Sequence, residues 1–77
     1  MKVQLVTWQD AVSEDAWEDI GEAKTLEPHT IFTIGYLLLE DEKRILLTMN
    51  WDPDSDAVSQ YIAIPKGWIL DRKDIEV

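Results

Sequence analysis

Between Ile31 and Trp51 the chain reads IFTIGYLLLEDEKRILLTMNW, two stretches rich in Ile, Leu, Phe and Tyr around the polar tripeptide Asp41, Glu42, Lys43. No proline interrupts it, so both stretches can enter a hydrogen-bonded ladder, and the tripeptide marks the turn of a β-hairpin. A turn there sets Glu40 opposite Arg44, Leu39 opposite Ile45, Leu38 opposite Leu46 and Leu37 opposite Leu47. Cross-strand pairs of this kind contribute about 0.2–1 kcal/mol each, enough to support a register and too little to fix it alone. The rest of the chain is expected to pack against this hairpin.

Val3 to Trp8 reads as a strand with apolar residues on both sides, Val3 and Leu5 on one, Val6 and Trp8 on the other. From Gln9 to Thr25 the character turns acidic, and Val12, Ala16, Trp17 and Ile20 recur at helical spacing. This predicts a short amphipathic helix with Ser13 as N-cap, Glu14 and Asp15 at the positive end of its dipole and Gly21 as its stop. Glu27, Pro28 and His29 form a loop, because the residue before a proline is pushed out of helical geometry. Gly35, inside the first hairpin strand, marks a bulge or sharp bend.

After the hairpin, Asp52 to Asp56 reads as a turn and Val58 to Ile64 as a strand with Val58, Ile62 and Ile64 facing inward. Pro65 to Trp68 makes one tight helical turn, and a last short strand runs from Ile69 to about Arg72. Five short strands, one strongly bent, predict a mainly β fold: a small bent-sheet barrel of the SH3-like or Sm-like kind with one short acidic helical segment. A two-layer α+β meander is the alternative. Residues 1–77 suffice for a single domain, of a size that buries only about 60% of the surface exposed on unfolding.

Sixteen acidic residues against seven basic ones give a net charge of −9, which repels nucleic acid and anionic membrane surfaces. No direct contact with either is expected. The absence of cysteine removes disulfides and thiolate metal sites and fits a reducing compartment, the cytoplasm being the simplest. No apolar run approaches membrane-spanning length, and MKVQLVTWQDA is no signal peptide.

Val6-Thr7-Trp8-Gln9-Asp10-Ala11, then Trp17, then Thr33-Ile34-Gly35-Tyr36-Leu37, then Ile64-Pro65-Lys66-Gly67-Trp68-Ile69 resemble the layout of a group of small, acidic, mostly uncharacterised phage-encoded proteins. The likeness covers most of the chain. It implies a virus-encoded accessory protein acting in the host bacterial cytoplasm on a host component, and it carries no assigned functional residue.

Catalysis is not expected. His29, the sole histidine, stands in a loop, no G-x-S-x-G element is present, and three glycines cannot build a phosphate loop. Asp52, Asp54 and Asp56 open like a calcium loop, but Ala57 stands where that loop needs glycine and Ala63 where it needs glutamate, so no metal or other cofactor is expected. Binding is the better use of these residues. Asp10, Glu14, Glu18 and Glu22 follow one another at four-residue intervals with Asp15 and Asp19 beside them, a negative surface suited to a host protein with a basic face. Of the four tryptophans, Trp51, beside the acidic turn, is the first candidate for exposure. Any tryptophan at a barrel mouth near Asp10 or Tyr36 can stack on a ligand or anchor a partner.

The hairpin is apolar on both faces, which marks Leu38 and Leu46 as a self-association surface. The leading expectation is therefore a non-catalytic protein that inhibits or redirects a host protein. The alternative is an oligomer that sequesters a small molecule, such as a nucleotide signal, with charge from Lys43, Arg44 or Lys66. A structural virion component comes third.

Overall fold

In the computed structural model, which describes residues 1–76, the chain forms β1 (Val3–Asp10), α1 (Ile20–Ala23), β2 (His29–Glu40), β3 (Arg44–Asp52), β4 (Ala57–Pro65), a 3-10 turn (Lys66–Trp68) and β5 (Ile69–Ile75). The strands build one antiparallel sheet in the order β4-β3-β2-β1-β5, so the fold is mainly β, as the strand count predicted.

The hairpin forms with a tighter turn than its sequence suggested. Leu37 faces Leu47 as expected, but Leu39 faces Leu46 and Glu40 faces Ile45, with Leu38 set out in a bulge. The cause lies at Asp41. Its carboxylate accepts from the N–H groups of Lys43 (2.8 Å) and Arg44 (2.9 Å), its own N–H donates to the Arg44 carbonyl, and the Arg44 guanidinium pairs with it. Asp41 thus takes the place opposite Arg44, and Leu38 absorbs the extra residue. Glu40 is released to face the concave side.

β2 pairs with β1 over His29–Tyr36 but with β3 only from Tyr36 onward, and the far half of β3 pairs with β4 alone. The sheet forks at Gly35. A Cβ there would stand 2.6 Å from the Thr48 carbonyl oxygen, so the two backbones approach as closely as only glycine allows. Thr48 is fully buried at the fork, and its hydroxyl donates to the Ser59 carbonyl at 2.8 Å.

The sheet curls. Pro65 ends β4 on one edge and Ile69 begins β5 on the other, and so short a connection spans at most about 14 Å. A flat sheet of this many strands would hold its edges about 19 Å apart. Curling brings Val6 and Trp8 of β1, Ile45 and Leu47 of β3 and Ile64 of β4 into one buried cluster, with Ile31, Leu37, Ile62 and Ile69 packed around it. Among the described residues β4 and β5 do not pair, so the sheet is bent and open, its two edges joined by the 3-10 turn, while the Lys66 N–H donating to the Lys43 carbonyl at 2.9 Å carries the β3–β4 ladder one step past Pro65.

The helix predicted from Ser13 onward is not formed. Only Ile20–Ala23 is helical, capped by Asp19, whose carboxylate accepts from the Glu22 N–H at 3.0 Å; Gly21, the expected stop, lies inside it. Short helices draw their stability from a packed apolar face, and no part of the core receives Trp17 or Ile20. Like charges at four-residue spacing add a cost of their own. Every residue from 13 to 28 is exposed, so this segment is an arm between β1 and β2 rather than a layer of the fold.

Candidate functional site

The arm carries most of the acidic residues singled out in the sequence, arranged otherwise than on one helical face. Asp10 ends β1, paired with His29; Glu14, Asp15 and Glu18 lie in irregular chain; Asp19 caps α1 and Glu22 sits in its first turn. The Glu14 carboxylate bends back to accept from the N–H groups of Asp15 (3.0 Å) and Ala16 (3.2 Å). Among these carboxylates stands Trp17, 101% exposed and covered by nothing, with Ile20 and Leu26 also largely open. Glu14, Ala16, Trp17, Glu18, Glu22 and Leu26 line a shallow depression of about 430 Å³.

Trp51, expected to be exposed, is instead half-buried: its indole N–H donates to Asp56 at 3.1 Å and its ring meets Tyr36 edge-on at 5.6 Å. Trp8 is in the core, its indole donating to the Thr33 hydroxyl at 3.0 Å. The exposed ring was legible in hindsight, since Glu14, Asp15, Glu18 and Asp19 surround Trp17 in sequence and leave it few apolar companions.

At the foot of the arm lies a second groove, of about 260 Å³, lined by Gln9, Asp10, Ala11, Pro28, Gly67, Trp68 and Leu70. Trp68 stacks on Trp8, ring centroids 6.4 Å apart and planes within 14°, and stays 43% exposed. The sequence had linked Asp10 with a tryptophan at the barrel mouth. The 3-10 turn supplies that tryptophan as Trp68.

Across the concave side from the arm, Glu40 accepts from Arg72 (2.8 and 3.0 Å) and Lys66 (2.8 Å), and those hydrogen bonds hold its carboxyl down to about 2. Arg72 also donates to the Gln4 side chain, which in turn donates to Asp74 at 2.8 Å. Of the cations a sequestering site would draw on, Lys66 is thus engaged by Glu40 and Arg44 by Asp41. Asp52 accepts from the Asp54 N–H and the Ser55 hydroxyl, and both keep its carboxyl below the usual range; its oxygens hold a turn together. Among the described residues no three His, Asp or Glu side chains converge as a metal site would need.

The hairpin's second apolar face is open in a different place from the one expected. Leu38, in the bulge, and Leu46 are both half-buried, whereas Phe32 (70%) and Ile34 (52%) are exposed on the convex side of β2, where Ile34 faces Leu5 of β1. No helix among the described residues is long and apolar enough to cross a membrane. The chain matches no family model, no curated protein and no solved structure.

Proposed function

We propose that the chain is a non-catalytic accessory protein, of the phage-encoded kind its sequence resembles, that binds a basic surface on a host protein through the arm between β1 and β2 and so inhibits or redirects that protein. The observation that carries this reading is Trp17, fully open to water amid Glu14, Asp15, Glu18, Asp19 and Glu22. A fully hydrated indole is the kind of side chain that anchors protein interfaces once a partner covers it. The carboxylates around it steer a basic partner toward it. The host cytoplasm is where such an encounter takes place.

The test is capture of host protein from bacterial lysate by the parent, by Trp17→Ala and by the double variant Glu14→Lys, Glu18→Lys, with circular dichroism as the control for folding. Capture is expected to fall in both variants while the sheet signal stays unchanged. Undiminished capture by the folded variants would remove the arm from the function.

A second reading, an oligomer that sequesters a small molecule, is favoured by the open convex row of Phe32 and Ile34. It ranks lower, because two of the three cations it would draw on, Lys43, Arg44 and Lys66, are held by the protein's own carboxylates, Arg44 by Asp41 and Lys66 by Glu40. Identification of a metabolite released on denaturation would reverse the order.

A further inference from the structure

We infer that the groove at the foot of the arm receives an arginine side chain of the partner protein, an inference that rests on the binding role given to the arm above. Asp10 is the last residue of β1, in line with Val6 and Trp8 on the concave side, and is half-buried. Among the described residues no side-chain donor and no cation reaches its carboxylate. Glu40, Asp41, Asp52 and Asp74, by contrast, accept hydrogen bonds, and Asp71, Glu42 and Asp54, which accept none, are open to water where Asp10 is half-buried. An unmatched carboxylate in a groove walled by Ala11, Pro28, Trp68 and Leu70 is left for a cation from elsewhere.

The shape of the groove selects among cations. Trp68 presents open ring surface, and apart from Gly67's own chain neighbours no atom lies within 4 Å of where a Cβ on it would stand. A guanidinium is planar and weakly hydrated. It can stack on the indole and give two parallel N–H bonds to Asp10, whereas an ammonium is compact, strongly hydrated and unable to do both. A neutral ring could stack but would leave Asp10 uncompensated, and an anion would meet the carboxylate. The volume of about 260 Å³ suits one side chain; sites for whole small molecules run from about 300 Å³ upward. The arginine comes from another protein, because Arg44 and Arg72 of this chain are taken up by Asp41 and Glu40. Ala11 and Pro28 belong to the feet of the arm, so a partner segment lying along the acidic arm delivers its side chain here.

The experiment uses the whole chain with 15N-labelled indoles and backbone, titrated with three peptides of alternating glycine and either arginine, lysine or citrulline. The arginine peptide is expected to move the Trp68 indole and Asp10 amide signals, with lysine and citrulline peptides binding about tenfold or more weakly, the scale of one charge-assisted hydrogen bond. Asp10→Asn, which keeps the shape of the side chain, is expected to remove the preference for arginine while the Trp8 indole signal stays in place. Trp68→Leu can loosen the stack on Trp8, so the asparagine variant is the deciding one. Signals that move only on the arm, equally for arginine and lysine, overturn the groove while leaving the arm as the binding surface. No movement anywhere in a folded protein overturns both. A Trp68 shift that follows protein concentration without peptide gives the groove to a second copy of the chain and overturns the inference as well.

Discussion

Glu40 shows how much a single displaced residue can do. Had the turn formed as the sequence suggested, its carboxylate would have paired with Arg44 at the hairpin tip; the tighter turn at Asp41 turns it inward to Arg72 and Lys66 instead. It thereby ties β2 to β5 and to the 3-10 turn on the side where the sheet has no ladder between its edges. Its folded-state value lies near 2, below the ordinary 4.5, so its contribution is fully present above pH 4.5 and is lost as the pH falls through 2. Glu40→Gln is therefore expected to melt below the parent at pH 7, and the gap should narrow steadily on acidification from 4.5 toward 2. A gap independent of pH would mean that the ion pairs contribute nothing beyond shape. Gly35 makes the complementary case, in which the absence of a side chain is the contribution. Gly35→Ala puts a methyl against the Thr48 carbonyl, and with backbone on the receiving side the strands must part, at a cost of about 1–3 kcal/mol read from denaturant unfolding.

At the scale of elements, strands were legible and the helix was not. The proline-free apolar runs of β1 and β3, the proline closing β4 and the glycine in β2 each carry a local reason that the tertiary structure keeps, so those elements appear where the residues put them. The spacing of Val12, Ala16, Trp17 and Ile20 also has a local reason. A helix that short, however, needs a surface to lie on, and the curled sheet already fills its concave side with its own residues. The register around Leu38 was hidden for a related cause: side-chain capping by Asp41 outweighs cross-strand pairs worth a few tenths of a kcal/mol, and a pairing rule does not see it. The candidate site was legible in its residue types, acid and tryptophan, while its geometry depended on which tryptophan the core left out. If the arm contributes function rather than stability, replacing residues 13–26 with a short glycine-serine linker should change the unfolding free energy by no more than about 1 kcal/mol. A large loss of stability would place the arm in the fold.

The whole molecule is longer than its core requires. Its radius of gyration is 16.1 Å over extents of 54 × 23 × 22 Å, against about 11.5 Å for a compact domain of this length. An arm that adds length without adding core accounts for part of this, and the thin, open sheet for the rest. An open sheet also leaves its convex side uncovered, with Phe32 and Ile34 exposed in line beside Leu5. Adjacent exposed apolar side chains on a sheet face favour association. Net charge opposes it, yet neither Phe32 nor Ile34 carries charge, and a two-fold contact there would bury both rows at once. Light scattering at rising concentration is therefore expected to report more than one copy, and the double variant Phe32→Glu, Ile34→Glu is expected to scatter as a single chain with its sheet intact. Leu38→Glu and Leu46→Glu, the substitutions the sequence alone would choose, bring charge to half-buried positions and should lower the melting temperature instead. If the parent stays a monomer of 16.1 Å radius of gyration in solution at high concentration, the convex row is ordinary surface. The sequestering reading then loses its support, and the arm and the groove at its foot are left to act from a single chain.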